Sequence, residues 1–135
     1  MYKHECPAEL DSVREIMEIV EVQMRGLGLD EKRVLHMGLV AEEIATNIII
    51  HAYRDKPAGA IEITIQRLGG TIVLVFRDGG APFDSDLICE PDLEAPILDR
   101  EVGGLGLYFM RKLVDRFQYR RESGRNVWTF EVQSG

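Results

Sequence analysis

The amino-acid sequence predicts an α+β two-layer sandwich, in which helices cover one face of a mixed, mostly antiparallel sheet. Three observations carry that expectation. Two stretches before residue 54 repeat apolar residues at helical spacing. Later come two pairs of strand-like stretches, one pair joined at Gly69-Gly70 and the other at Ser123-Gly124. Between the pairs, the glycine run Gly103-Gly104-Leu105-Gly106 opens a third helix.

The elements follow in order. Residues 1–6 alternate weakly, as a short edge strand would. Pro7 suits the first turn of a helix, and Leu10, Val13, Ile16, Met17, Val20 and Met24 carry that helix from Ala8 to Arg25. Gly26 and Gly28 stop it. Asp30 is placed as an N-cap, with Glu31 favourable to the helix dipole, and a second helix is expected to reach His51 or Tyr53. Ile61, Ile63 and Ile65 alternate as in a half-exposed strand. The continuous run Ile72 to Phe76 predicts a central strand buried on both faces. Residues 84–102 are acidic, hold Pro91 and Pro96 and show no period; a loop this long is usually functional. The third helix is expected to reach about Arg116, followed by strands at Phe117–Arg121 and Val127–Val132.

Composition narrows the function classes. The 135 residues fit one domain spanning 1–135, without repeats or a linker. A hydrophobic content of 45% argues against disorder, and no apolar run approaches a membrane span. Two cysteines, Cys6 and Cys89, are too few for a disulfide scaffold, so a cytoplasmic home is expected. Sixteen basic against 23 acidic residues leave a net charge of −7, which disfavours direct nucleic-acid binding. A small anion stays within reach, because a few backbone N–H groups suffice to hold one.

Three features invite a chemical reading. Glu43 and Asn47 share one helical face inside a stretch, Leu39 to Ile50, that is apolar nearly all round. Either this face reaches the surface as a solvated stripe, or Glu43 takes a proton or orients water while Asn47 ligates a hard cation such as magnesium. The second feature is Asp78-Gly79-Gly80-Ala81-Pro82-Phe83-Asp84. It reads either as a plain glycine turn or as a carboxylate at a strand end, accepting a hydrogen bond from adenine's exocyclic amino group, with Gly80 letting a flat base approach the backbone. The third is Gly103-Gly104-Leu105-Gly106-Leu107, whose helix-opening N–H groups suit phosphates. It is neither a P-loop nor a Rossmann fingerprint, since no Gly-Lys-Ser/Thr follows and no βαβ unit surrounds it.

Together, in this order, the three motifs resemble those of the Bergerat-fold (GHKL) ATPases, the superfamily of DNA gyrase, histidine kinases and MutL. The stretch Ala41-Glu42-Glu43-Ile44-Ala45-Thr46-Asn47-Ile48-Ile49-Ile50-His51-Ala52-Tyr53 is similar to its small bacterial branch, the anti-sigma-factor serine/threonine kinases. So are Arg100 to Leu107 and the following Arg111-Lys112-Leu113-Val114-Asp115. The resemblance runs from about Pro7 to Val132. It implies an ATP site in which Asn47 binds Mg2+, Asp78 reads adenine beside Gly80, and Gly103, Gly104, Leu105, Gly106 and Leu107 line the phosphates. It further implies an ATP lid at 85–103, a γ-phosphate contact from Arg100, and Glu43 as general base toward a partner's serine or threonine hydroxyl. The partners implied are a STAS-domain anti-anti-sigma protein and a sigma factor.

The family alternatives are an ATP-binding module that only sequesters its partner, and a histidine-kinase-like ATPase domain. The N-terminal strand is short where the family builds its sheet edge and often a homodimer. Asn126 stands where larger relatives often place a threonine near the adenine. His51 reads as a partly buried structural histidine, and Trp128 with Phe130 as core or edge cover. Arg111, Lys112 and Arg116 read as a solvated helix face. His4, Cys6 and His36 lack zinc spacing, so no metal cluster is expected there.

Overall fold

The computed structural model describes residues 1–53, 59–83, 110 and 112–134. Its elements are β1 (Tyr2–Pro7), α1 (Asp11–Gly26), α2 (Glu31–Asn47), a π-helical turn (Ile48–Ala52), β2 (Ala60–Leu68), β3 (Thr71–Asp78), β4 (Arg116–Glu122) and β5 (Arg125–Gln133). The strands form one sheet in the order β1-β2-β3-β5-β4. Every pairing among the described residues is antiparallel, so the sheet is not mixed.

Both hairpin turns lie at the expected glycines. Ser123 (φ 51°) and Gly124 (φ 76°) both take positive φ, the requirement of a type I′ turn, whose twist matches that of the flanking strands. Ile61, Ile63 and Ile65 of β2 and Ile72, Leu74 and Phe76 of β3 are buried toward the helices. A one-residue slip would turn such a set to solvent, at roughly 1.5–3 kcal/mol per side chain. The register is therefore strongly specified, and it sets Asp78 opposite Ile61 on β2 and opposite Asn126 on β5.

The helix layer covers that face with Ile16, Val20 and Met24 of α1 and with Val34, Met37, Val40, Ala41, Ile44 and Ala45 of α2. Asp30 caps α2 as expected, accepting a hydrogen bond from the Arg33 N–H at 3.0 Å. Trp128 and Phe130 complete the core, and the Phe117 ring stacks on both at 5.8 and 5.3 Å.

Four expectations are corrected. Pro7 closes β1 and does not open a helix. It pairs with Ala60 on an edge strand, where a missing N–H is tolerated, and α1 starts only at Asp11. The second helix ends as α at Asn47 and continues as a wider π turn to Ala52. That helix is not buried all round: Leu39 and Ile50 are 50% and 45% exposed. Finally, β3 is central but covered by helices on one face only. Val75, on the other face, is shielded by position, between Thr64 and Thr129 of its neighbours, while Val73 is half-exposed.

Of the third helix, Met110, Lys112 and Leu113 are helical. Its glycine opening, Arg100, Arg111 and the expected lid at 85–103 lie outside the described residues.

Candidate functional site

The alternation of β3 places Asp78 on the same face as Ile72, Leu74 and Phe76, so its side chain enters the helix-facing layer. Solvent does not reach it. A carboxylate so enclosed is costly unless its oxygens are paired. Oδ1 accepts two hydrogen bonds, from the Gly80 N–H at 2.9 Å and from Asn126 Nδ2 at 2.9 Å. Oδ2 is buried with no partner among the described residues. Burial pushes the Asp78 carboxyl above its ordinary range, and the bonds from Asn126 and Gly80, with the Arg121 and Arg125 charges, pull it partly back.

Asn126 is itself held on every side. Its Nδ2 also donates to the Ala81 carbonyl at 2.8 Å, and its Oδ1 accepts from the Tyr119 hydroxyl and from Arg121 Nη1 at 3.2 Å. The Tyr119 oxygen accepts the Phe83 N–H at 2.9 Å, and Arg121 Nη1 donates to the Gly80 carbonyl at 2.7 Å. With both amide groups engaged, Asn126 fixes one oxygen of Asp78, while the other has no partner among the described residues.

The end of the second helix docks on this turn. The Ala81 N–H donates to the Ala52 carbonyl at 2.7 Å. A Cβ on Gly80 would meet that carbonyl oxygen at 2.5 Å and the Ala52 Cβ at 2.6 Å, so glycine is required for the approach. The close neighbour of Gly80 is thus the π turn. Tyr53 ties the same corner, accepting the Gly79 N–H and donating to the Ala60 carbonyl, each at 3.0 Å. The π turn therefore carries the C-terminal end of this helix, at Ala52 and Tyr53, onto the turn after β3.

Asn47 is 3% exposed, and its Nδ2 has no partner among the described residues. An orphaned buried amide is unusual, because such groups are normally paired. One turn earlier, half-buried Glu43 borders a cleft of about 440 Å³, lined also by His36, Leu39, Val40, Glu42, Met110 and Leu113. Burial first, and the neighbouring Glu42 charge second, raise the Glu43 carboxyl above its ordinary value. The pair is therefore not a solvated stripe: Glu42 is exposed, Glu43 half-buried and Asn47 buried.

Among the candidates read from sequence, Glu43, Asn47, Asp78 and Gly80 belong to one helix face and the turn on which that helix ends. Arg100 and Gly103 to Leu107 lie outside the described residues. His51 is half-buried with its ring edge-on to Phe83 at 6.1 Å, as a structural histidine would be. The supporting roles of Asn126, Tyr119, Arg121 and Tyr53 were missed. The available signal was Asn126, a polar residue in an apolar strand that register sets beside Asp78.

Fold and corner together define a two-layer α/β domain whose helix pair and central strand end converge on a buried, half-paired carboxylate. Solved structures share this architecture. The catalytic domain of histidine kinase ThkA superposes with a TM-score of 0.58 at 17% identity, covering 99% of this chain and 97% of that one. The blue-light activated histidine kinase of Erythrobacter litoralis EL346 gives 0.59 at 19% identity, covering 78% of this chain but 31% of that longer one.

In sequence, residues 6–131 match the histidine kinase-like ATPase domain family, and the chain belongs to it. It is 31% identical over 96 residues to the serine/threonine-protein kinase BtrW of Bordetella bronchiseptica, covering 71% of this chain and 68% of that protein. It is 26% identical over 122 residues to the serine-protein kinase RsbW of Halalkalibacterium halodurans, covering 87% and 74%. Among the described residues, no helix is long and apolar enough to cross a membrane.

Proposed function

We propose that this chain is an ATP-dependent serine/threonine protein kinase of the anti-sigma type. Its substrate would be a hydroxyl on a STAS-domain anti-anti-sigma protein, and its second partner a sigma factor. The kinase names of relatives at 26–31% identity support the reading. The observation that carries it is Asp78, with one oxygen accepting two hydrogen bonds and the other without a partner among the described residues.

An unpaired carboxylate oxygen accepts a hydrogen bond from the exocyclic amino group of adenine. Guanine presents an acceptor at the same place, so the two acceptors repel and ATP is favoured over GTP. The orphaned Asn47 amide fits the phosphate end. Its oxygen is a hard ligand suited to Mg2+, which takes few protein ligands and completes its shell with water and phosphate oxygens, while its Nδ2 can donate to a phosphate. Bound magnesium supplies neutralisation of phosphate charge.

Glu43 stands on the Asn47 face and at the cleft. There it would take the proton from the attacking hydroxyl, and burial, by raising its carboxyl, makes it a stronger base than an exposed glutamate. Leu39 and Met110, on the same cleft, would exclude water around the incoming hydroxyl. Arg100 and Gly103 to Leu107 are assigned here to the phosphates, and residues 85–103 to a lid.

The test pairs the purified protein with a recombinant STAS-domain protein and γ-labelled ATP or GTP. The expected result is label on a partner serine or threonine from Mg-ATP, with GTP much weaker. Equal affinity for the two nucleotides would overturn the role given to Asp78. ATP and partner binding without any transfer would replace the kinase by a sequestering module.

A further inference from the structure

A second group of chemically capable side chains converges where β1 meets α1. Alternation along β1 turns His4 and Cys6 to the same face, and α1 presents Ser12 and Glu15, one turn apart, toward them. One ligand atom from each of His4, Cys6 and Glu15 lies within 4.8 Å of the others. Cys6 is a free thiol, 3% exposed. His4 Nε2 is enclosed and has no hydrogen-bond partner among the described residues. Glu15 Oε2 approaches that nitrogen to 3.8 Å, too far for a hydrogen bond.

An ion pair alone explains this arrangement poorly. A histidine–glutamate pair at an exposed rim would close to hydrogen-bond distance, because the Glu15 side chain is 53% exposed and free to rotate. Instead, imidazole nitrogen, thiol sulfur and carboxylate oxygen gather within 4.8 Å of one another. We propose that His4, Cys6 and Glu15 form a Zn2+ site, with three protein ligands and a water in the fourth position. One nitrogen, one sulfur and one oxygen donor are the set this borderline-soft ion takes. Bonds of about 2.0–2.3 Å in a tetrahedron set donors roughly 3.3–3.8 Å apart. Binding displaces one proton from Cys6 Sγ to solvent.

The sequence concealed the site because its third ligand comes from a helix, nine residues beyond Cys6. Its consequence is mechanical. β1 is an edge strand, held by β2 alone, and the ion would pin it to α1. Cys6 pairs with Ile61, and Ile61 with Asp78, so the pin sits on the same rung as the buried carboxylate, two strands and about 10 Å away.

The experiment uses the full chain, tag-free, reduced and without nucleotide. Co2+ serves as the optical probe and a chromophoric chelator as the competitor for Zn2+. Expected are one equivalent of metal, a thiolate-to-cobalt charge-transfer band with the visible bands of tetrahedral cobalt, and a higher melting midpoint with Zn2+. Cys6→Ser should abolish the charge-transfer band, and Cys89→Ser should retain it. Glu15→Gln, at an exposed position that leaves folding intact, should weaken Zn2+ at least ~10-fold. Absence of stoichiometric binding, a band that survives Cys6→Ser, or unchanged zinc affinity in Glu15→Gln would each overturn the site. If Cys6→Ser fails to fold, the wild-type cobalt spectrum and Glu15→Gln decide.

Discussion

Asp78 and Glu43 are both carboxylates raised above their ordinary pKa by burial, yet they are held in opposite ways. Asp78 is gripped: register, two hydrogen bonds to Oδ1 and the Asn126–Tyr119–Arg121 network hold the carboxylate, and Oδ2 alone has no partner among the described residues. Glu43 rests on a helix face, with only burial and the Glu42 charge acting on its carboxyl. The difference suits the two tasks proposed for them. A group that recognises must be fixed before its ligand arrives. A group that accepts a proton needs the right affinity for it and room to reach the reacting hydroxyl. The two regions also differ in tolerance: change around Asp78 propagates through a connected network, while change around Glu43 meets open surface.

The sharpest way to break the comparison is Glu43→Ala. Loss of a general base costs ~10²–10⁴-fold in rate, with the lower end expected for a loose phosphoryl transition state. Phosphate transfer should fall by that factor while calorimetric ATP affinity stays near wild type. A loss of ATP affinity equal to the loss of rate would make Glu43 a binding residue.

Asp78→Asn comes next. It places a donor against the adenine amino group, a mispairing worth about 1–3 kcal/mol, or roughly 5- to 150-fold in ATP affinity. Its effect on stability has the other sign. Because the folded pKa of Asp78 lies above its ordinary 3.8, the folded state binds the proton more tightly. Stability is therefore fullest below pH 3.8 and declines as pH rises through the window above it, until Asp78 ionises in the folded state too. A permanently neutral asparagine escapes that decline, so nucleotide-free Asp78→Asn should melt higher than wild type at neutral pH.

Gly80→Ala tests the docking of the π turn. A methyl group 2.5 Å from the Ala52 carbonyl forces the turn and the helix end apart, at a cost typical of overpacking, about 1–3 kcal/mol. Chemical denaturation should show this loss, and ATP affinity should fall with it as Asn47 and Asp78 separate. The smallest effect is that of Glu42→Gln, which removes one of the two causes raising Glu43. In the proposed role Glu43 acts in its ionised form, so the transfer rate should fall as pH drops through that group's pKa. The variant should move this acid limb to lower pH and leave the plateau rate unchanged.

Most of the architecture was legible because it rests on local patterns. Alternating isoleucines, glycine turns and the Asp30 cap each act over a few residues, and each lies where the structure has it. Errors arose where tertiary context decides. Pro7 fits a helix start and an edge strand equally well, and only pairing with Ala60 settles which. The apolar run of β3 looked doubly buried because sequence does not reveal that one layer covers it. Asp78, Gly80, Glu43 and Asn47 were readable from spacing on single elements. Asn126 was visible as a departure, but its hold on Asp78 needs the β3–β5 register, which joins residues 48 positions apart.

The aromatic packing beside this register has an optical consequence. Trp128, the chain's single tryptophan, lies two residues from Asn126 on the same strand face and is 1% exposed. Its ring meets Tyr119 at 4.6 Å and Phe83 at 4.8 Å, and both of these touch the network around Asp78. Any rearrangement of the Asp78 turn that moves Phe83 or draws on the Tyr119 hydroxyl must change the packing of that indole. The protein thus carries its own fluorophore against the back wall of the site, unmixed with emission from any other tryptophan, and occupancy can be followed in the unlabelled chain.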